Sequence, residues 1–163
     1  MRSRRVMTKT GNFISGALVK KLRLMPDERG FLMEMLRKDW PEFERFAQSY
    51  VTACYPGVIK AWHYHRKQTD HFVCVHGMAK VVLYDARQDS PTRGKVNEFH
   101  IGIMNPCLVK IPPLVYHGFT AEGNGPALIV NFPTELYDYE QPDEHRLPYD
   151  DPSIPYDWNV RNG

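Results

Sequence analysis

Breakers are spaced so closely along this chain that a long helix has almost nowhere to form. Thirteen prolines and eleven glycines divide its 163 residues into short runs. Each proline removes a backbone donor, and each glycine frees the chain to turn. The runs between them alternate or are apolar throughout: "QSYVTACY", "GVIKAWHYH", "DHFVCVHG", "MAKVVLYDAR", "VNEFHIG", "CLVKIPP" and "PALIVNFP". Short strands at even spacing predict an all-β sandwich or closed barrel. Upstream, "GALVKKLRLMP" alternates well enough for a strand, "PDERG" turns, and "FLMEMLRK" returns as a strand or hairpin arm. Asp39 as an N-cap with Pro41 near a helix start predicts a short helix over Asp39 to Gln48, so one or two short helices are expected in all. "QDSPTRGK" reads as a loop. From Tyr137 onward the chain is rich in Pro, Asp and Tyr. It is expected to be an irregular tail draped over the barrel, with Tyr149, Tyr156 and Trp158 as anchors.

With 42% hydrophobic residues, the chain can bury one proper core, so residues 1–163 are read as a single domain. A formal net charge of +2 gives no pull towards nucleic acid or a membrane surface. "MRSRR" at the start is read as a solvated end. No apolar run approaches the roughly 20 residues of a membrane span. "FISGALV" ends at Lys20-Lys21 without a cleavage site, so no signal peptide is expected and the location is read as cytoplasmic. Cys54, Cys74 and Cys107 are scattered and odd in number. They are expected to be reduced, mostly buried thiols.

Four of the seven histidines fall between Gly57 and Gly77. They could hold a metal, move protons on a substrate, or fill a core. Residues two apart on a strand share a face, so His63 and His65 point together. Asp70 opens the next strand and can return to the same cavity. His117, closing "IPPLVYH", can approach from across the barrel. Three imidazoles and a carboxylate suit a divalent transition metal such as Zn, Fe, Mn or Ni. His71, His76, His100 and His145 lack such spacing and are read as surface or packing residues.

The spacing from Gly57 through His63, His65 and Asp70 to Gly77 resembles the first cupin motif, with Asp70 where that motif has glutamate. "IPPLVYH" resembles the second, with Leu114 where it usually has glycine. The resemblance implies a cupin, or jelly-roll, β-barrel.

Longer strings resemble the dTDP-4-dehydrorhamnose 3,5-epimerase family of deoxysugar-nucleotide epimerases, in order along nearly the whole chain. They are "DERGFLMEM", "FAQSYVT", "GVIKAWHYH", "DARQDSPTRGK", "IPPLVYHGF" and "YDDPSIPYDW". The resemblance implies proton abstraction beside the 4-keto group of a dTDP-4-keto-6-deoxyhexose, in deoxysugar or surface-polysaccharide biosynthesis, with no cofactor required. It implies His63 as the base, Lys60 in place of an arginine near the reacting sugar, and His117 lining the pocket. Asp70 would tune the base. Arg29, Phe31, Glu34 and Gln48 fall at positions resembling nucleotide and phosphate contacts, some reaching a neighbouring subunit, which implies a homodimer. Tyr137, with Tyr139, is a candidate base-stacking residue.

The chain also departs from the pattern. Asp70 replaces an active-site lysine, His65 a glutamine, and Val130 the acid tyrosine. The resemblance places the family's base-orienting aspartate in a C-terminal segment that is expected to be missing here. Tyr64, Tyr116 and Tyr137 are candidates for the missing acid. Two alternatives stand beside the epimerase: a metal-dependent cupin enzyme using His63, His65, Asp70 and His117, and a non-catalytic cupin that binds a sugar nucleotide.

Overall fold

The structure, a computed structural model, describes residues 13–160. The basic Met1–Arg5 cluster lies outside the described residues. Strands are β1 (Leu18–Lys21), β2 (Leu24–Asp27), β3 (Gly30–Met33), β4 (Tyr50–Cys54), β5 (Ile59–Tyr64) and β6 (Asp70–His76). They continue as β7 (Met78–Tyr84), β8 (Val96–Gly102), β9 (Cys107–Ile111), β10 (Tyr116–Glu122), β11 (Ala127–Asn131) and β12 (His145–Arg146). Two five-stranded antiparallel sheets, ordered β1-β9-β6-β11-β4 and β12-β5-β10-β7-β8, face each other, and β2 and β3 form a separate ribbon. This is the all-β barrel expected from the strand spacing.

The core lies between the sheets. Phe72, Cys74, Val109 and Ile129 from the first meet Val81, Leu83, Ile101 and Phe119 from the second. Burying each such aliphatic or aromatic side chain contributes about 1.5–3 kcal/mol. Val82 points the other way and is buried all the same. It packs with Trp62, Ile154 and Trp158 beneath the C-terminal segment. Lys80 fixes that segment, donating to the Trp158 carbonyl at 3.2 Å and lying over the Tyr156 and Trp158 rings. Tyr149 anchors through its backbone, whose carbonyl accepts from Trp62 Nε1 at 3.1 Å. The tail is not wholly irregular, because β12 pairs with β5. All three cysteines are free and buried.

The helix expected over Asp39 to Gln48 is absent; turns and extended chain occupy those residues. Distant groups take what a helix would use. The buried Glu42 side chain pairs with Lys20 at 3.1 Å, Lys20 also lies over the Trp40 ring, and the Glu42 carbonyl faces His71 Nε2 at 3.1 Å. "GALVKKLRLMP" is likewise two strands, since Leu22 turns inward and its amide donates to the Pro106 carbonyl. Strand "FLMEMLRK" ends at Met33.

Two local features carry the motifs. In "DARQDSPT", Asp85 is fully buried and accepts from Arg87, Ser90 and Thr92. Burial opposes its charge, but those donors hold its carboxyl well below the usual range. The string therefore fastens a loop. Leu114 has φ of 65°, so the left-handed geometry that favours glycine persists without the glycine.

Candidate active site

β5 and β10 bring the first two imidazoles together. His63 pairs with His117 across the sheet, their ring centroids 4.0 Å apart. The next residue, Gly118, allows this approach: a Cβ there would sit 2.2 Å from Ala61 Cβ. His65, just beyond β5, brings a third ring within 5.7 Å of His63 and 5.6 Å of His117.

Asp70 organises these rings. Its Oδ1 accepts from Gln68 Nε2 and Asn131 Nδ2, both at 2.7 Å. Its Oδ2 lies 3.2 Å from Nε2 of both His65 and His117, the His117 contact off the axis of a hydrogen bond. The other ring nitrogens are also committed: His65 Nδ1 donates to the Asp143 carbonyl and His117 Nδ1 to the Val115 carbonyl. Burial opposes the Asp70 charge, but His117 and His65 outweigh it and hold the carboxyl well below the usual carboxylate range. Burial also works against a charged His65, yet the Asp70 carboxylate raises its pKa. His63 goes the opposite way. Burial first, then the charge of His117, push it well below an ordinary imidazole. A neutral imidazole near neutral pH is a base ready to accept a proton.

Two cavities meet at His63. One of about 710 Å³ is lined by Gln48, Tyr50, His63, His65, Tyr137 and Glu144, among others. The second, about 440 Å³, is lined by Tyr50, Thr52, Lys60, His63, Glu144 and Arg146, among others. His63, His65, Lys60, Gln48 and Tyr137 therefore stand at the site. His117, expected to line the pocket, is one layer deeper and 1% exposed, as is Asp70. Asp70 thus lies behind the cavity surface, against the His65 and His117 rings. Arg29, Phe31 and Glu34 line neither cavity. Arg29 pairs with Asp27 in the β2–β3 turn, Phe31 is exposed on β3, and Glu34 pairs with Arg37. Strand alternation takes Tyr64 and Tyr116 to the opposite face, where they meet edge-on and line a different cavity beside Arg87. They cannot supply the missing acid.

The sequence reading missed Tyr50, Asn131, Gln68, Asp143, Glu144 and Arg146. Tyr50 had a signal, since it lies two residues after Gln48 and two apart means one face. The last three arrive with β12 and the turn before it: Arg146 pairs with His63, and the Asp143 side chain accepts the Arg66 and Lys67 amides.

His63, His65 and His117 are close enough to share a cation, their ligand atoms lying within 4.8 Å of one another. His65 and His117 each donate Nδ1 to a carbonyl, which leaves both Nε2 atoms turned toward Asp70 Oδ2, and His117 Nε2 without a hydrogen-bond partner, as in imidazoles that ligate through Nε2. Asp70 Oδ2, 3.2 Å from both Nε2 atoms, stands about as far from them as neighbouring ligands of one ion stand from each other, so the carboxylate would join the three imidazoles as a ligand.

The family model for dTDP-4-dehydrorhamnose 3,5-epimerase matches residues 12–162. The chain belongs to this family. Among epimerase-family relatives, a probable low-salt glycan biosynthesis epimerase of Haloferax volcanii, Agl13, is 51% identical over 144 residues, spanning 87% of this chain and 92% of that protein. The Bacillus subtilis spore coat polysaccharide biosynthesis protein SpsL is 46% identical over 147 residues, spanning 90% and 97%. The epimerase fold also matches the crystal structure of a dTDP sugar isomerase from Desulfovibrio desulfuricans, with a TM-score of 0.84, 38% identity, and coverage of 89% and 92%. The family reading of the sequence strings thus holds across the chain.

Proposed function

We propose that this chain epimerises a nucleotide-linked 4-keto sugar, a dTDP-4-keto-6-deoxyhexose being the first substrate to try, in the making of a surface polysaccharide or glycan. A ketone acidifies the hydrogens on its neighbouring carbons. His63 removes one, an enolate forms, and a proton returns on the other face. The observation that carries this reading is His63 itself, a desolvated imidazole at the junction of two cavities. Lys60 and Arg146, both lining the smaller cavity, supply positive charge for an enolate oxygen or a diphosphate. The relatives named for glycan and spore-coat polysaccharide synthesis support the pathway class.

A homodimer goes with this reading. The exposed Phe31 and Leu32 on β3, at 54% and 58%, offer an apolar face for a second copy. Arg29 and Glu34 would then serve the partner's site rather than their own.

Incubation with dTDP- and UDP-linked 4-keto-6-deoxyhexoses, followed by NMR of the sugar protons, tests the activity. Inversion beside the ketone with at least one of them is expected. Tight binding without turnover of any would replace the reading with a non-catalytic binding protein. The second reading, a metal at His63, His65 and His117, rests on their proximity. Metal analysis of gently purified protein decides it. A full equivalent of Zn, Fe, Mn or Ni supports it, and less than about a tenth of an equivalent with no rebinding removes it.

A further inference from the structure

We infer that Tyr50 is the proton donor of this site, delivering a proton to the face of the enolate opposite His63. The inference rests on the epimerase reading and adds a residue that the sequence strings do not assign.

The geometry starts from an amide whose orientation is fixed. The Asn131 Oδ1 atom accepts the His71 backbone N–H at 2.9 Å, so the oxygen must be on that side. Asn131 Nδ2 therefore carries both remaining hydrogens. One goes to Asp70 Oδ1 at 2.7 Å and the other to the Tyr50 hydroxyl oxygen at 2.9 Å. Tyr50 thus accepts from Asn131, and its own O–H hydrogen is left over. Among the described residues no oxygen or nitrogen takes that hydrogen, and the ring borders the cavity.

Placement gives the hydrogen a use. Tyr50 stands on β4 in one sheet and His63 on β5 in the facing sheet. Both side chains border both cavities. A sugar ring between them presents one face to the imidazole and the other to the phenol. Other donors are worse placed. Lys60 borders only the smaller cavity and donates to Thr52 Oγ1 at 2.9 Å. Tyr137 borders the larger cavity but not the smaller, and its ring is packed edge-on against Tyr139. Burial, and next the nearby Asp70 charge, push the Tyr50 phenol up to about 12, so it keeps its proton until an enolate is there to take it.

The step balances without an oxidant or reductant. His63 takes the hydrogen beside the ketone, and the C–H pair becomes the enolate double bond with negative charge on oxygen. Tyr50 gives its proton to the opposite face of that carbon, the ketone re-forms, and a phenolate remains. Solvent reprotonates the phenolate and accepts the proton from His63.

The test compares wild type with Tyr50→Phe, which keeps the ring and removes the transferable hydrogen. Both are given a 4-keto nucleotide sugar in D₂O. Epimer formation is expected to fall by about 10²–10⁴-fold, the usual span for a positioned acid. Deuterium should still enter beside the ketone with configuration retained, because His63 can return a solvent-derived deuteron to the face it came from. Substrate affinity should stay within about threefold, which a misfolded or merely mispositioned site would not allow. Epimer formation within about threefold of wild type overturns the role of Tyr50 alone. Loss of retained-configuration exchange or of substrate affinity along with epimerisation also overturns it. Absence of any exchange in wild type overturns the epimerase reading and the donor with it.

Discussion

His63 and Asp70 show how one buried cluster sets two opposite protonation states. Asp70 keeps its charge because two amides and two imidazoles surround it. His63 loses its charge because burial and a neighbouring imidazole disfavour it. The rate of exchange should therefore stay level as pH falls through 6.5, the ordinary imidazole value, and drop only in more acid solution. Stability moves with the same group. Below 6.5 the unfolded chain binds a proton at His63 that the native site refuses, so acidification costs stability until the folded value is reached. A pH–rate profile and denaturation midpoints across this range check both signs. Asp70→Asn should destabilise by about 3–5 kcal/mol, the usual loss when one partner of a buried ionic group is removed. It should also lower the His65 titration seen by NMR, whose rise comes from that carboxylate. His63, His65, Asp70 and His117 were legible because strand alternation and motif spacing are local. Asn131 was not, because its use depends on β11 lying between β4 and β6, a register fixed by the whole sheet.

Among the elements, the β5–β10 pair and the last strand, β12, matter most for the site. Gly118→Ala would drive a methyl into Ala61. Overpacking of this kind costs about 1–3 kcal/mol, and the His63–His117 pairing should loosen with it. Thermal unfolding and residual activity would show both losses together. Leu114→Gly should act the other way. A leucine at φ 65° carries roughly 1–2 kcal/mol of backbone strain. Glycine gives back part of that gain as entropy of the unfolded chain, leaving a net stabilisation of about 0.5–1 kcal/mol, measurable as a raised denaturation midpoint. Strand positions were legible because alternation and breakers are properties of a few residues. The segment from Asp39 to Gln48 was misread for the complementary reason. Its Asp-x-Pro start is a sound local helix signal, but Trp40 and Glu42 are claimed by Lys20, far away in the chain. β12 escaped notice because two residues, His145 and Arg146, give no alternation to see.

For the whole molecule, the decisive arrangement is two facing sheets with the His63 imidazole on one and the Tyr50 phenol on the other. The barrel and the family were both legible, the first in strand spacing and the second in several strings kept in order. The exchanges at Asp70, His65 and Val130 were legible as well, but the burial of Asp70 and His117 behind the cavity surface was not. Asp70 and His65, at positions that resemble a lysine and a glutamine of the family, face each other inside the site, and Val130, at the acid's position, is half-buried. The β2–β3 hairpin, whose Phe31 and Leu32 are exposed, should join two copies. Sedimentation of wild type should give a dimer, and Phe31→Ser with Leu32→Ser should shift it to monomer while lowering activity. The central claim is that His63 removes a hydrogen from the carbon beside a sugar ketone. Transfer of solvent deuterium into a 4-keto nucleotide sugar measures that step alone. Wild type should label the carbon beside the ketone, and His63→Asn should slow labelling by about 10²–10⁴-fold while still binding the nucleotide sugar. Labelling by His63→Asn at the wild-type rate, or none by wild type with any such sugar, would contradict it.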